Sequence, residues 1–208
     1  MMTVGLDGAS VESALGSGGL GCPRIGCGGL LVPWGWARER TVRGAGRLRP
    51  RRGRCVGCRR TQVLLPASVL LRRADAVTVI GAALLAKAAG AGHRRIAAGL
   101  DLPASTVRGW LRRIASVAER VLAVLAAAAA ELGVEFVAPA PTAEPAAAVA
   151  ELVGALARAV ARRLSGSCSP WRLAGVVTGG RLLTPDGPEP APRGQAGSNT
   201  SLLWAGGP

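Results

Sequence analysis

Tyrosine is absent from this 208-residue chain, phenylalanine and histidine occur once each, and Lys87 is the only lysine. Aromatics make up 3% of the residues, and the hydrophobic fraction of 49% is largely alanine, so burial per residue is expected to be modest. The single histidine, His93, has no carboxylate or nucleophile beside it in sequence. It reads as a helix-start or phosphate-contacting residue rather than as a metal ligand or catalytic base. No stretch approaches the ~20 apolar residues of a bilayer-spanning helix. The longest uncharged apolar run is Val121 to Ala130, so a soluble protein with no membrane partner is expected. Residues 1–21 hold Asp7 and Glu12 and no basic residue, the wrong pattern for a secretory signal. A reducing, cytoplasmic compartment follows, where paired cysteines are more often metal ligands than disulfides.

Acidic residues are scarcest where basic ones are densest. Against 12 Asp+Glu the chain carries 26 Lys+Arg, a formal charge of +14. Between Trp34 and Arg113 stand 18 basic residues and only 3 acidic ones (Glu39, Asp75, Asp101), while the rest is close to neutral. GC-rich coding inflates arginine along with alanine, glycine and proline, but it does not gather the net charge into one block. A concentrated block favours a polyanionic partner, because each phosphate neutralised releases counterions.

Residues 1–21, rich in Gly and Ser, are expected to be disordered. From Cys22 to Pro66, short β-compatible runs (30–36, 40–48, 61–65) alternate with Gly, Pro and Arg, the texture of a ribbon of two or three strands. Helical spacing begins near Arg73 and continues through Ile80, Leu84 and Ala88 until Gly90-Ala91-Gly92 stops it. A second helix covers about 93–100 and ends at Asp101-Leu102-Pro103. A third begins at Ala104, with Ser105 and Thr106 close to its cap. Its apolar stripe (Val107, Leu111, Ile114, Ala118, Val121, Leu125, Ala128, Leu132) has coiled-coil-like spacing and offers a homodimer seam beyond Ile114. Pro139, Pro141 and Pro145 form a break. Beyond it Val149, Val153, Leu156, Val160 and Leu164 line one face of a helix able to pack back on its predecessor. Periodicity fades after Gly166.

The fold class expected is mainly α. A helix-turn-helix three-helix core over 73–113 follows a small β zinc-ribbon-like segment at 22–66. Alanine-rich helices over 114–165 come next, and both termini, 1–21 and 184–208, are expected to be disordered.

Cys22-Pro-Arg-Ile-Gly-Cys27 and Cys55-Val-Gly-Cys58 are two cysteine pairs flanking a basic, strand-like stretch. Four thiolates so spaced can close a tetrahedral structural Zn(2+) site, which supplies folding free energy to a segment too small and polar to fold alone. Ordinary reduced cysteines are the alternative. Cys168, alone between serines, reads as incidental.

From Gly92 to Arg113 the chain reads as helix, tight turn, helix. Ile96, Ala97, Leu100, Val107, Trp110 and Leu111 fall where the two helices would pack on the preceding one. Ser105, Thr106, Arg108, Gly109, Arg112 and Arg113 are left largely exposed. Short polar residues at the start of a helix allow close approach to a major groove, and arginines reach guanine edges or phosphates. Arg108 and Arg112 are expected to contact bases or phosphates, with Arg94 and Arg95 on backbone phosphates. A helical hairpin with a solvated arginine face is the competing reading. The ribbon arginines, Arg43 to Arg60, add a sequence-independent contact or form a solvated loop. RNA stays open as a partner, although the ribbon lacks the stacking aromatics expected for single strands.

These residues resemble a known arrangement. Cys22-Pro23, Trp34 to Arg38, Arg54 to Cys58, Val63 to Pro66, Gly92 to Ala97 and Trp110 to Arg113 are similar to a bacterial family of uncharacterised helix-turn-helix proteins. That family is similar in turn to the zinc-ribbon and helix-turn-helix portion of insertion-sequence transposases. The resemblance covers Cys22 to Arg113 and departs in the first cysteine pair, which has four intervening residues where the family has two. It implies binding to transposon-end or operator-like double-stranded DNA and a nucleoid-associated regulator or a transposase-derived accessory or remnant. It does not bring catalysis. Strand transfer needs three carboxylates around two metal ions, and Glu119, Glu131, Glu135, Glu144, Glu151, Asp186 and Glu189 lie on helical or linker-like sequence with no strand pattern. A protein–protein interaction module with a structural zinc ribbon is the alternative function.

Overall fold

The computed structural model describes residues 1–5, 7–134, 144–163 and 169–188. Pro139, Pro141, Leu164, Gly166, Cys168, Glu135, Glu189 and the tail from residue 189 lie outside the described residues.

The N-terminal third is a sheet with a helix on one face. Strands β1 (Met2–Thr3), β2 (Leu31–Trp36), β5 (Arg51–Cys55) and β6 (Thr61–Leu65) form one sheet in the order β1-β6-β5-β2, while β3 (Arg40–Val42) and β4 (Gly46–Leu48) make a separate hairpin. β1 runs parallel to β6; the other pairings are antiparallel. Helix α1 (Gly8–Gly16) crosses this sheet and places Val11, Ala14 and Leu15 in a core with Val4, Leu20, Leu31, Cys55 and Leu64. Gly53 makes room for it, since a Cβ there would sit 3.2 Å from Leu31 and 3.4 Å from Leu15.

Two expectations are corrected here. Residues 1–21 are not disordered: β1 adds to the sheet, and the Asp7 carboxylate caps α1 by accepting from the Ser10 N–H at 2.8 Å. Low overall hydrophobicity hid a local i, i+3, i+4 apolar triad that has a sheet to pack against. The ribbon also has more than three strands, because the arginine run 51–54 forms the inner strand β5.

Helices α2 (Val77–Ala88), α3 (His93–Gly99), α4 (Ala104–Glu131), α5 (Pro145–Arg163) and α6 (Pro170–Val177) share a second, larger core, so mainly α describes this part. The mid-chain proline break does not stop α5 from packing along α4. Val107, Ile114, Ala118, Val121, Leu125, Ala128 and Leu132 are buried, as are Val149, Val153, Leu156 and Val160 opposite them. The α4 stripe is thus covered from within the same chain, by α5. α6 was not expected from sequence. At eight residues it is too short to show a period, yet Trp171, Leu173, Ala174 and Val176 are buried. Among the described residues no helix is long and apolar enough to cross a membrane.

Helix ends explain the short connections. α2 stops where Gly90 takes φ 87°, with Gly90 N–H donating to Lys87 and Ala91 N–H to the Ala86 carbonyl. α3 stops the same way at Asp101 (φ 52°), where Leu102 N–H reaches back to the Ala97 carbonyl at 2.9 Å and Leu102 is buried. These are left-handed C-caps, the second using aspartate where glycine is usual. They set α3 and α4 apart by a turn of only Leu100 to Pro103.

The two parts meet in two places: at the turn after α6, where a Cβ on Gly180 would lie 2.1 Å from Thr3 Oγ1 of β1, and at the Arg43–Asp75 pair, 3.5 Å apart, ahead of α2. α6 also presses Trp171 onto α2 at Gly81, where a Cβ would lie 2.3 Å from the indole. We expect Gly81→Ala to cost about 1–3 kcal/mol of stability through this overlap. Thermal unfolding should fall by roughly 3–10 °C; an unchanged midpoint would show that the contact is slack.

Candidate metal centre and nucleic-acid interface

Two loops bring the four cysteines together at the end of the sheet. Cys55 closes β5, and Val56, Gly57 and Cys58 turn into β6, with Arg59 N–H donating to the Cys55 carbonyl and Cys55 N–H to the Arg60 carbonyl. The Cys58 N–H points at the Cys55 Sγ, 3.4 Å away. Opposite it, Cys22 and Cys27 stand on a loop whose base is tied by the Gly21–Leu30 bridge and by Cys22 N–H donating to Gly29 at 2.7 Å. Gly26 (φ 74°) and Gly28 (φ 62°) let the extra residues of this loop fold back, so the longer spacing still delivers Cys27 to the cluster.

The sulfurs lie within 4.8 Å of one another, with Cys22 to Cys58 at 3.7 Å and Cys27 to Cys55 at 3.6 Å. A disulfide needs about 2.05 Å. A tetrahedral ion with 2.3 Å bonds to sulfur sets its ligands about 3.8 Å apart. The donor set therefore fits a tetrahedral metal ion. Gly29 keeps the two loops close: a Cβ there would lie 2.7 Å from Cys55 Sγ and 3.0 Å from the Gly57 nitrogen.

Charge inside the cluster is uneven. The Arg60 backbone N–H holds the Cys58 thiol down to about 6. Loss of solvent, with hydrogen bonding to the other sulfurs, pushes Cys22 up to about 12. Four thiolates cannot share this volume without a cation to neutralise them. At neutral pH metal binding should therefore release protons from the cluster, and affinity should fall as pH drops and protons compete. Proton release measured during metal titration, at pH 7 and at pH 5, checks this; a pH-independent affinity would contradict it.

On α4 the first three turns divide cleanly. Val107, Trp110 and Ile114 are buried, Trp110 at 3% exposure, against Ile80, Leu84, Ile96 and Ala97. Ser105, Arg108, Gly109 and Arg112 are exposed at i, i+3, i+4 and i+7, which is one face of the helix. Thr106 and Arg113 are half-buried beside it, and Arg94 and Arg95 are exposed on α3. Neither Ser105 nor Thr106 caps α4: its N-cap is Pro103, with no side-chain bond to the free N–H groups. His93 opens α3, half-buried.

Among the described residues the ion pairs are Arg43–Asp75, Arg47–Glu39 and Arg51–Glu12, so none of the α3 or α4 arginines faces a carboxylate. Arg73, hydrogen-bonded to the Leu183 carbonyl, has its pKa lowered by burial and by the nearby Arg113 guanidinium, so positive charge accumulates next to this helix.

The structure also exposes two ribbon tryptophans that the shortage of aromatics had hidden. Trp34 and Trp36 stand on β2, 51% and 47% exposed, against the guanidinium groups of Arg54 and Arg51 at 4.2 and 4.6 Å from the ring centres. A register shift between Pro33 and Gly35 separates them: Trp34 lies with Arg54, while Trp36 pairs with Arg51 and lines the cavity beside α1. Comparison with protein-family models, curated proteins and solved structures found no match to this chain.

Proposed function

We propose that this chain is a DNA-binding protein, a regulator or a transposase-derived accessory, in which α3 and α4 act as a helix-turn-helix and the first turns of α4 enter the major groove. The observation that carries this reading is the division of α4: tryptophan and valine anchor one side while Arg108 and Arg112 stand free on the other. Gly109 supports it. A glycine inside a helix costs about 0.5–1 kcal/mol against alanine, and among the described residues nothing beyond its own stretch of helix lies within 4 Å of a Cβ built there. Its smoothness serves no internal packing, and it suits close approach of a duplex. Arg94 and Arg95 on α3 reach the phosphates flanking the groove. The uncapped α4 N–H groups favour a phosphate at the same end.

In the ribbon we assign the four cysteines to a structural zinc ion. Four thiolate ligands suit zinc and leave no open coordination position, so the ion staples the sheet and takes no part in a reaction.

Titration of a labelled duplex at increasing salt tests the DNA reading. If Arg94, Arg95 and Arg113 each neutralise a phosphate while Arg108 and Arg112 meet base edges, log K should fall against log salt with a slope of about −2.5 to −3. No binding at low salt, or a slope near zero, would favour the protein-interaction module instead.

A further inference from the structure

We propose that the uncovered face of the β2–β5–β6 sheet binds single-stranded DNA, with an unpaired base stacked on Trp34 and its phosphates held by Arg52, Arg54 and the arginines of the β5–β6 turn. Helix α1 occupies the opposite face, over Gly53 and Leu31. Register sets Val32 beside Arg54 and Thr61, and Gly35 beside Arg52 and Val63. Trp34 has no register partner. β2 shifts between Pro33 and Gly35, and the extra residue carries the indole. The Arg54 guanidinium, 4.2 Å from the ring centre, holds that indole in place while 51% of the residue stays open to solvent. A ring already fixed by a guanidinium loses little freedom when a base stacks on it.

Charge selects the partner. The acids of residues 1–66 are engaged elsewhere: Asp7 caps α1, Glu12 pairs with Arg51, and Glu39 pairs with Arg47. Among the described residues Arg52, Arg54, Arg59 and Arg60 have no ion pair. Arg54 Nε also donates to the Arg59 carbonyl, which ties the face to the basic turn. Free guanidinium groups around a fixed indole suit a polyanion with accessible ring faces. Bases in a duplex are covered by their neighbours; those in a single strand are not. DNA is the strand we assign because α4 of the same chain is read as a duplex binder, and a melted segment beside a duplex site would meet both surfaces.

The test is binding of full-length protein to a short labelled oligothymidylate and, separately, to a duplex at low salt. Trp34→Ala should weaken oligothymidylate binding by roughly tenfold, the scale of one lost base–aromatic stack, with duplex affinity and thermal stability unchanged. Trp34→Phe should recover most of the loss. Arg52→Ala, an exposed change outside the α1 core, should give the same ranking of ligands. The proposal is overturned if the wild type does not bind oligothymidylate, if Trp34→Ala binds it normally, or if single strand and duplex are weakened equally. Tighter binding of oligouridylate would reassign the face to RNA and overturn it as stated. Failure here leaves the α4 reading intact, since that reading rests on Arg108, Arg112 and the duplex arm alone.

Discussion

Removing the proposed zinc ion, by chelation or by Cys55→Ser, should unfold the ribbon while leaving the helical part largely folded. The ribbon's core is small: Val4, Val11, Ala14, Leu15, Leu20, Leu31 and Leu64, with Cys55 itself as the eighth buried member. One of the four clustered cysteines is thus also a core side chain at 0% exposure. Structural zinc in small domains contributes roughly 10–16 kcal/mol at neutral pH, as much as the whole net stability of an ordinary domain, about 5–15 kcal/mol. The helices have their own core, running from Leu70 and Val77 to Leu183. Hydrogen exchange followed along the chain should lose protection over 20–65 after chelation and keep it over 77–131. Unchanged protection in β5 and β6 would show that the cysteine cluster is not what holds the sheet.

The second large effect is expected on α4. Arg108→Ala with Arg112→Ala should reduce affinity for a preferred duplex site by roughly thirtyfold or more, since each good base contact is worth about 1–3 kcal/mol and two are lost. Both residues are exposed and unpaired among the described residues, so stability should change by less than about 0.5 kcal/mol. Affinity for random duplex should fall much less. Gly109→Leu gives the complementary result. It should strengthen the helix, since it replaces a poor helix former on an open surface, yet weaken binding by blocking close approach. A variant more stable and equally tight would mean that this face does not meet the groove.

Much of the helical part was legible because the local signals agree. The 92–113 segment combines an apolar period, a stop at Asp101-Leu102-Pro103 and a basic opposite face, and α3 and α4 fall where those signals set them. The cysteine pairs were legible as a cluster, despite the longer first spacing, because glycines in the loop absorb the added residues. The ribbon was harder. Arg51-Arg52-Gly53-Arg54 has neither β-branched residues nor alternation, and it becomes a strand only because β2 and β6 pair on either side and Glu12, Trp34 and Trp36 receive its guanidinium groups. Those partners are distant in sequence, so local propensity could not find them. α1 and α6 were missed for the same reason: each is short, and its stability comes from the surface it lands on. The stripe on α4 was legible, and so was its cover: the helix read beyond the proline break as able to pack back on its predecessor is α5.

The central claim, that α4 reads sequence through Arg108 and Arg112, is tested most directly by selecting bound duplexes from a randomised pool with the wild-type protein and with the Arg108→Ala, Arg112→Ala variant. The wild type should enrich a defined motif, and the variant should retain only weak, salt-sensitive binding without one. Enrichment of the same motif by both proteins would place sequence reading elsewhere and contradict the account.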